Sequence, residues 1–229
     1  KTAYEIRPRD WSSDVCSSDL HGLPDQPDLA RRHDRHRHRR RRVHDERRRA
    51  ASLLGRGGGR VDPGGDRRRA AAPAPRPDTG DIKLIVIHNI SLPPNQYDGE
   101  GVIELFTNRL NPNEHPYYAE ISHLKVSSHF FIRRDGQLVQ FASCLDRAWH
   151  AGQSNWEGRE RCNDFSIGIE LEGSDFEAFE ALQYEVLNCL INALKSTYPI
   201  KAITGHSDIA PNRKSDPGPH FDWSLIQHS

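Results

Sequence analysis

No apolar run in this chain approaches the roughly 20 residues that a membrane helix needs, and no leader with a basic start and a short apolar stretch is legible. A membrane partner is therefore not expected, and the chain reads as cytoplasmic. Cysteine is scarce: Cys16, Cys144, Cys162 and Cys189 are scattered along 229 residues. Cys16 lies in a segment set aside below, and three isolated thiols point to a reducing compartment rather than to a disulfide framework. Across residues 1–80 lysine disappears after Lys1, and the only Phe, Trp or Tyr residues are Tyr4 and Trp11. A stretch so poor in apolar groups has no face to bury.

What that stretch does contain is charge. Residues 1–80 hold 20 Lys+Arg against 12 Asp+Glu, net +8, whereas residues 81–229 hold 12 against 20, net −8. The formal charge of zero thus averages two unlike compositions. Between Arg31 and Arg69 run "RRHDRHRHRRRRVHDERRR" and "GRGGGRVDPGGDRRR", and "RPRDWSSDVCSSDL" at 7–20 resembles the translated read-through of a sequencing adapter. Residues 1–75 are accordingly read as a non-native or disordered Arg-rich extension, and residues 76–229 as the one folded domain. An arginine-rich arm can bind nucleic acid without sequence preference, but solvated charge runs commonly have no partner, and none of nucleic acid is expected here. His33, His36, His38 and His44 lack an ordered scaffold that would fix a metal geometry.

From Asp81 the character changes. "IKLIVIHN", residues 82–89, is a β-branched apolar run of strand length, read as a central strand buried on both faces and ending at His88. "VIELFTNRL" (102–110) has helical spacing, and "SSHFFIRRDGQLVQFA" (127–142) reads as a hairpin about Asp135–Gly136. In "FSIGIELEG" (165–173) apolar residues alternate with Ser166, Gly168, Glu170 and Glu172, the pattern of a strand with one greasy and one polar face. A helix follows, with Leu182, Val186, Leu190 and Leu194 as its apolar stripe and a stop before Pro199. "KAITGH" is a short strand delivering His206. The order of elements implies an α/β (α+β) fold with a mixed central sheet flanked by helices.

The loop "TGHSDIAPNRKSDPGPHFDW" (204–223) gathers His206, Asp208, Lys214 and Asp216 between prolines. A catalytic zinc typically takes three ligands from His, Asp and Glu, and His88, His206 and Asp216 would supply them. Spacing alone is a weak signal, since a strand-end histidine is more often simply hydrogen-bonded or exposed, and no HExxH pattern is present. Glu170 and Glu172 read equally well as surface acids of a half-exposed strand. Asp208 reads as structural, bonded to local backbone amides.

Taken together, "VIHNISLPP", "SSHFFIRRDGQLVQF", "RAWHAGQSNWEGRERCNDFSIGIELEG" and the 204–223 loop resemble the zinc amidase family that includes phage lysozyme-type amidases and peptidoglycan recognition proteins. The narrower likeness is to its 1,6-anhydro-N-acetylmuramyl-L-alanine amidase branch. The resemblance implies zinc ligands at His88, His206 and Asp216, a catalytic glutamate at Glu170 that relays the water proton, and a catalytic lysine at Lys214 that balances the charge of the tetrahedral intermediate. It implies a small soluble muropeptide substrate, with contacts from Asn89, Trp149 and Arg161, and with Lys125 where the family has an arginine. His129 and His150 are core or pocket residues in this reading, and Trp149 serves a pocket or the core. The expected protein is a monomeric enzyme of peptidoglycan recycling. Two alternatives are a muropeptide-binding module without catalysis and an exported or phage amidase acting on intact wall.

Overall fold

The structure, a computed structural model, describes residues 4–6 and 74–226. Two units divide the chain: residues 1–6 with 64–229, and residues 7–63. The second unit, and with it Cys16 and the histidines of the Arg-rich tract, lies outside the described residues.

Strands are numbered in chain order as β1 (Tyr4–Ile6), β2 (Ala74–Pro75), β3 (Leu84–Ile90), β4 (Phe130–Ile132), β5 (Leu138–Gln140), β6 (Asp146–Arg147), β7 (Asn155–Trp156), β8 (Arg159–Glu160), β9 (Ser166–Glu172) and β10 (Ala202–Gly205). The helices are α1 (Gly101–Phe106), α2 (Pro116–Ile121), α3 (Ala181–Thr197) and α4 (His206–Ile209). Six strands form one mixed sheet in the order β1-β5-β4-β9-β3-β10. β3 runs parallel to both β9 and β10, whereas β4 and β5 form the expected antiparallel hairpin. Gly136 takes the left-handed position of its turn, φ +79°, which a residue without Cβ adopts at no steric cost.

β3 has the sequence LIVIHNI, and its first five residues are buried, as a continuous β-branched run in a central strand requires. The period of two sends Leu84, Val86 and His88 to one face. Leu84 and Val86 pack there with Ala151, Cys162, Phe165 and Ile209. A second cluster, including Val102, Leu105 and Phe106 of α1 with Tyr118 of α2, packs on Phe131 of β4 and Val139 of β5. No helix among the described residues is long and apolar enough to cross a membrane.

Three expectations need correction. β9 is buried along its whole length, with no solvated face. Its polar positions are covered: the His150 ring lies on Gly168, and Glu172, 2% exposed, accepts hydrogen bonds from the backbone N–H groups of Asp98 and Arg134. The stripe of α3 is also rotated from the expected one, because Leu182 is 41% exposed while Val186, Leu187, Leu190, Ile191 and Leu194 are buried. Gln183 sets that rotation: fully buried, its Nε2 donates to the carbonyls of Ile132 and Glu172, and its Oε1 accepts from the N–H of Glu180. Finally, Cys144 and Cys162 are free and buried, but Cys189 is disulfide-bonded, so three isolated thiols are not present.

Candidate metal and active site

The parallel register of β3 and β9 pairs His88 with Glu170, so the two side chains leave the same face at neighbouring points. β10, on the other side of β3, pairs Gly205 with Ile87 and hands the chain to His206, the first residue of α4. Asp208 accepts at Oδ2 from Thr204 Oγ1 and the N–H of Gly205, pinning that turn in the local role expected of it. The loop then folds back, and the Ser207 N–H donates to the carbonyl of Asp216 at 2.9 Å.

Three side-chain atoms meet as a result. His88 Nδ1 lies 3.0 Å from His206 Nδ1 and 2.9 Å from Asp216 Oδ2, and His206 Nδ1 lies 3.0 Å from the same oxygen. Three ligand atoms of one ion, with bonds of about 2.0–2.2 Å, stand within a few ångströms of one another, as these three do. Among the described residues this is the one cluster of His, Cys, Asp or Glu whose geometry suits a metal ion. The outer nitrogen of His206 supports the same reading, because its Nε2 meets the carbonyl of Ala151 at 3.0 Å. A carbonyl only accepts, so Nε2 carries the proton and Nδ1 keeps a lone pair for the site.

Burial governs the electrostatics. It pushes the His88 imidazole down to about 4, against the pull of the neighbouring Asp216 carboxylate. For Asp216 burial acts upward, but the close approach of the His206 and His88 imidazoles outweighs it and holds the carboxylate well below its usual range. Glu170, 6% exposed, is driven well above the ordinary glutamate value by burial and then by the negative charge of Asp216, with Lys214 pulling the other way.

His88, His206 and Asp216 form part of the wall of a cavity of about 540 Å³ that Glu170, Lys214, Asn89 and Trp149 also line. Asn89 uses Nδ2 to donate to Asp175 Oδ1 and to the carbonyl of Pro217. The guanidinium of Arg147 lies 4.3 Å above the Trp149 ring. Two expected contacts lie elsewhere. Lys125 is exposed between Leu124 and Val126, which do line the cavity. Arg161, in left-handed backbone with φ +61°, pairs with Asp164 and borders a second cavity of about 380 Å³.

Sequence reasoning missed Arg213, which lines both cavities and donates to the carbonyls of Ala151 and Gln153. Its place beside Lys214 in "NRKSD" was the available signal. Phe176, 78% exposed and lining the larger cavity, had none, since a phenylalanine in a polar loop looks like any other.

A sequence profile of the N-acetylmuramoyl-L-alanine amidase family matches residues 78–219. The 1,6-anhydro-N-acetylmuramyl-L-alanine amidase AmpD of Escherichia coli K12 is 55% identical over 154 residues, 66% of this chain and 84% of that protein. A crystal structure of a selenomethionine AmpD derivative aligns with a TM-score of 0.66 at 52% identity, covering 69% of this chain and 92% of its own. AmpDh3 of Pseudomonas aeruginosa, solved with an anhydromuramic pentapeptide, aligns with a TM-score of 0.50 at 28% identity over 72% of this chain and 64% of that one. With a profile that takes in every strand from β3 to β10, and a fold and identity to match, the chain belongs to the N-acetylmuramoyl-L-alanine amidase family.

Proposed function

We propose that this chain hydrolyses the amide bond between (1,6-anhydro-)N-acetylmuramic acid and L-alanine in small soluble muropeptides, as a monomeric, zinc-dependent enzyme of peptidoglycan recycling in the cytoplasm. The observation that carries this reading is the convergence of His88, His206 and Asp216 in a cleft that Glu170 and Lys214 also line. The pentapeptide bound to AmpDh3 and the name of the E. coli relative support the substrate class.

His88, His206 and Asp216 would hold the zinc, which when bound supplies Lewis acidity enough to bring the ionisation of water near pH 7. Glu170 supplies the proton transfer. Burial and then the charge of Asp216 raise its carboxylate well above the ordinary glutamate value, which makes it a better base to take a proton from the attacking water and return it to the departing nitrogen of L-alanine. Attack on the lactyl carbonyl carbon forms the new C–O bond, and the C–N bond then breaks. The products are a muramic acid carboxylate and a peptide with a free amine. Lys214 places a point cation where the carbonyl oxygen becomes negative, an interaction stronger in the transition state than with the neutral amide. Trp149 offers a ring to the sugar and Asn89 an amide oxygen, whereas Lys125 and Arg161, outside the wall of this cavity, could meet only a stem peptide that extends past it.

The test uses the full chain with anhydro-N-acetylmuramyl-tripeptide and follows free tripeptide by mass spectrometry. Release should stop on chelation and return with zinc. Tight binding without release would replace the hydrolase by a recognition module.

A further inference from the structure

His206 has its tautomer fixed by a backbone carbonyl. His88 does not: its outer nitrogen, Nε2, meets the Nδ1 of His150 at 2.9 Å. An imidazole nitrogen can donate or accept, so this pair alone leaves the direction of the bond open. Direction is decided two groups further on. His150 Nε2 lies 3.2 Å from Ser166 Oγ, and that Oγ lies 2.6 Å from the carbonyl oxygen of Cys162.

A carbonyl carries no proton, so a 2.6 Å contact between these two oxygens requires the serine hydroxyl to donate. Ser166 Oγ can then only accept from His150, which puts the proton on His150 Nε2 and a lone pair on its Nδ1. His88 Nε2–H must donate to that lone pair. The remaining nitrogen, His88 Nδ1, is left unprotonated where it faces His206 and Asp216. Running the chain the other way would set two oxygen lone pairs against each other at 2.6 Å.

We propose that Ser166 and His150 are positioning residues, which hold His88 in its metal-ligating tautomer through a one-way chain of hydrogen bonds anchored on the carbonyl of Cys162. Two further features serve the same geometry. Asn163 Oδ1 accepts from the backbone N–H groups of His150 and Ala151, so one side chain fixes the segment that supplies the outer partners of both histidine ligands. Gly168 leaves room for the ring, since a Cβ there would stand 2.5 Å from His150 Cγ.

The inference rests on the reading of His88 as a metal ligand, and its test separates the two. Side-chain nitrogens of the ¹⁵N-histidine-labelled full chain are observed by long-range proton–nitrogen NMR at neutral pH, metal-free and with zinc, and are assigned by single His→Gln variants. The expected result is His150 protonated at Nε2 and unprotonated at Nδ1 in both states, with His88 matching it. Zinc affinity, read by competition with a chromogenic chelator, should fall about 10- to 100-fold in Ser166→Ala. A proton on His150 Nδ1, or unchanged affinity in Ser166→Ala, would overturn the proposal. The tautomer measurement needs no variant of Ser166 to fold, so a misfolded Ser166→Ala leaves the question decidable. A chain with the expected tautomers that cleaves no muropeptide supports the hydrogen-bond chain and removes the amidase reading, and active enzyme with His150 protonated at Nδ1 does the reverse.

Discussion

At the scale of single residues, the proposed roles separate by experiment because the metal cluster and the proton carrier sit on different strands. Asp216→Ala takes away the one anionic member of the trio, whose Oδ2 faces the Nδ1 atoms of both histidines. It should abolish zinc retention and hydrolysis together, with the fold kept, and full activity with stoichiometric zinc would remove Asp216 from the ligand set. Glu170→Gln should instead keep its zinc and lose about 10²- to 10⁴-fold in kcat, the usual worth of a positioned general acid–base. His129 gives a stability prediction with a definite sign. Its pKa is pushed down to about 3 by burial and then by the charge of Arg76. The fold therefore holds it neutral while the unfolded chain takes up a proton below about pH 6.5, so its contribution is fully present above 6.5 and is lost as pH falls from there toward 3. In urea unfolding with EDTA present, His129→Gln should flatten the decline between pH 6 and pH 4 by about 1.4 kcal/mol per pH unit. An unchanged slope would mean that His129 takes up its proton inside the fold.

At the scale of elements, the interior of β9 is the most constrained stretch of the site. Gly168 lies between Ser166 and Glu170 on one face, and the His150 ring occupies the space of its missing Cβ. Gly168→Ala should cost about 1–3 kcal/mol as an overpacking change, seen as a lower unfolding midpoint, together with weakened zinc binding as His150 is displaced from His88. Normal zinc affinity in that variant would show that the ring can move without disturbing the ligand. This strand also shows why the sequence was legible in part. β3 announced itself as a buried strand because Leu84, Ile85, Val86 and Ile87 form an unbroken apolar run, and the hairpin did so through its Asp-Gly turn. β9 looked half-exposed because alternation reports polarity, and polarity equals exposure only when no cleft, loop or helix satisfies the polar groups in the interior. Glu172 is satisfied by two backbone amides, and Glu170 faces a cleft built from segments far away in sequence, which no local pattern encodes. The trio of candidate ligands was offered weakly by residue type, and the resemblance of several blocks taken in order implied the same three residues. The outer partners of its histidines had no such signal, since a backbone carbonyl has no sequence signature.

For the whole molecule, the open matter is what the N-terminal residues contribute. We propose that residues 1–75 are dispensable for the chemistry, because the site is assembled from β3, β9, β10 and the loop to Asp216, whereas β1 pairs only with β5 at the far edge of the sheet. The boundary nevertheless has to respect packing, because Ala74 and Pro75 pair with β6 and the side chain of Arg76 is 6% exposed. Its guanidinium donates to the carbonyls of Cys144, Asn163 and Ser166, tying β9 to two loops, and burial pushes its pKa down to about 10. A chain starting at Ala72 should therefore hydrolyse muropeptide as the full chain does. One starting at Ile82 leaves three buried acceptors without their donor, at about 1–3 kcal/mol each, which is a large share of the 5–15 kcal/mol that holds a typical domain together. It should lose soluble folded protein, and Arg76→Ala in the full chain should lower the unfolding midpoint in the same direction. Turnover and thermal unfolding of these four proteins decide the point. If the chain from Ala72 keeps its zinc but loses its turnover, the N-terminal residues act in catalysis, and the domain is larger than residues 76–229.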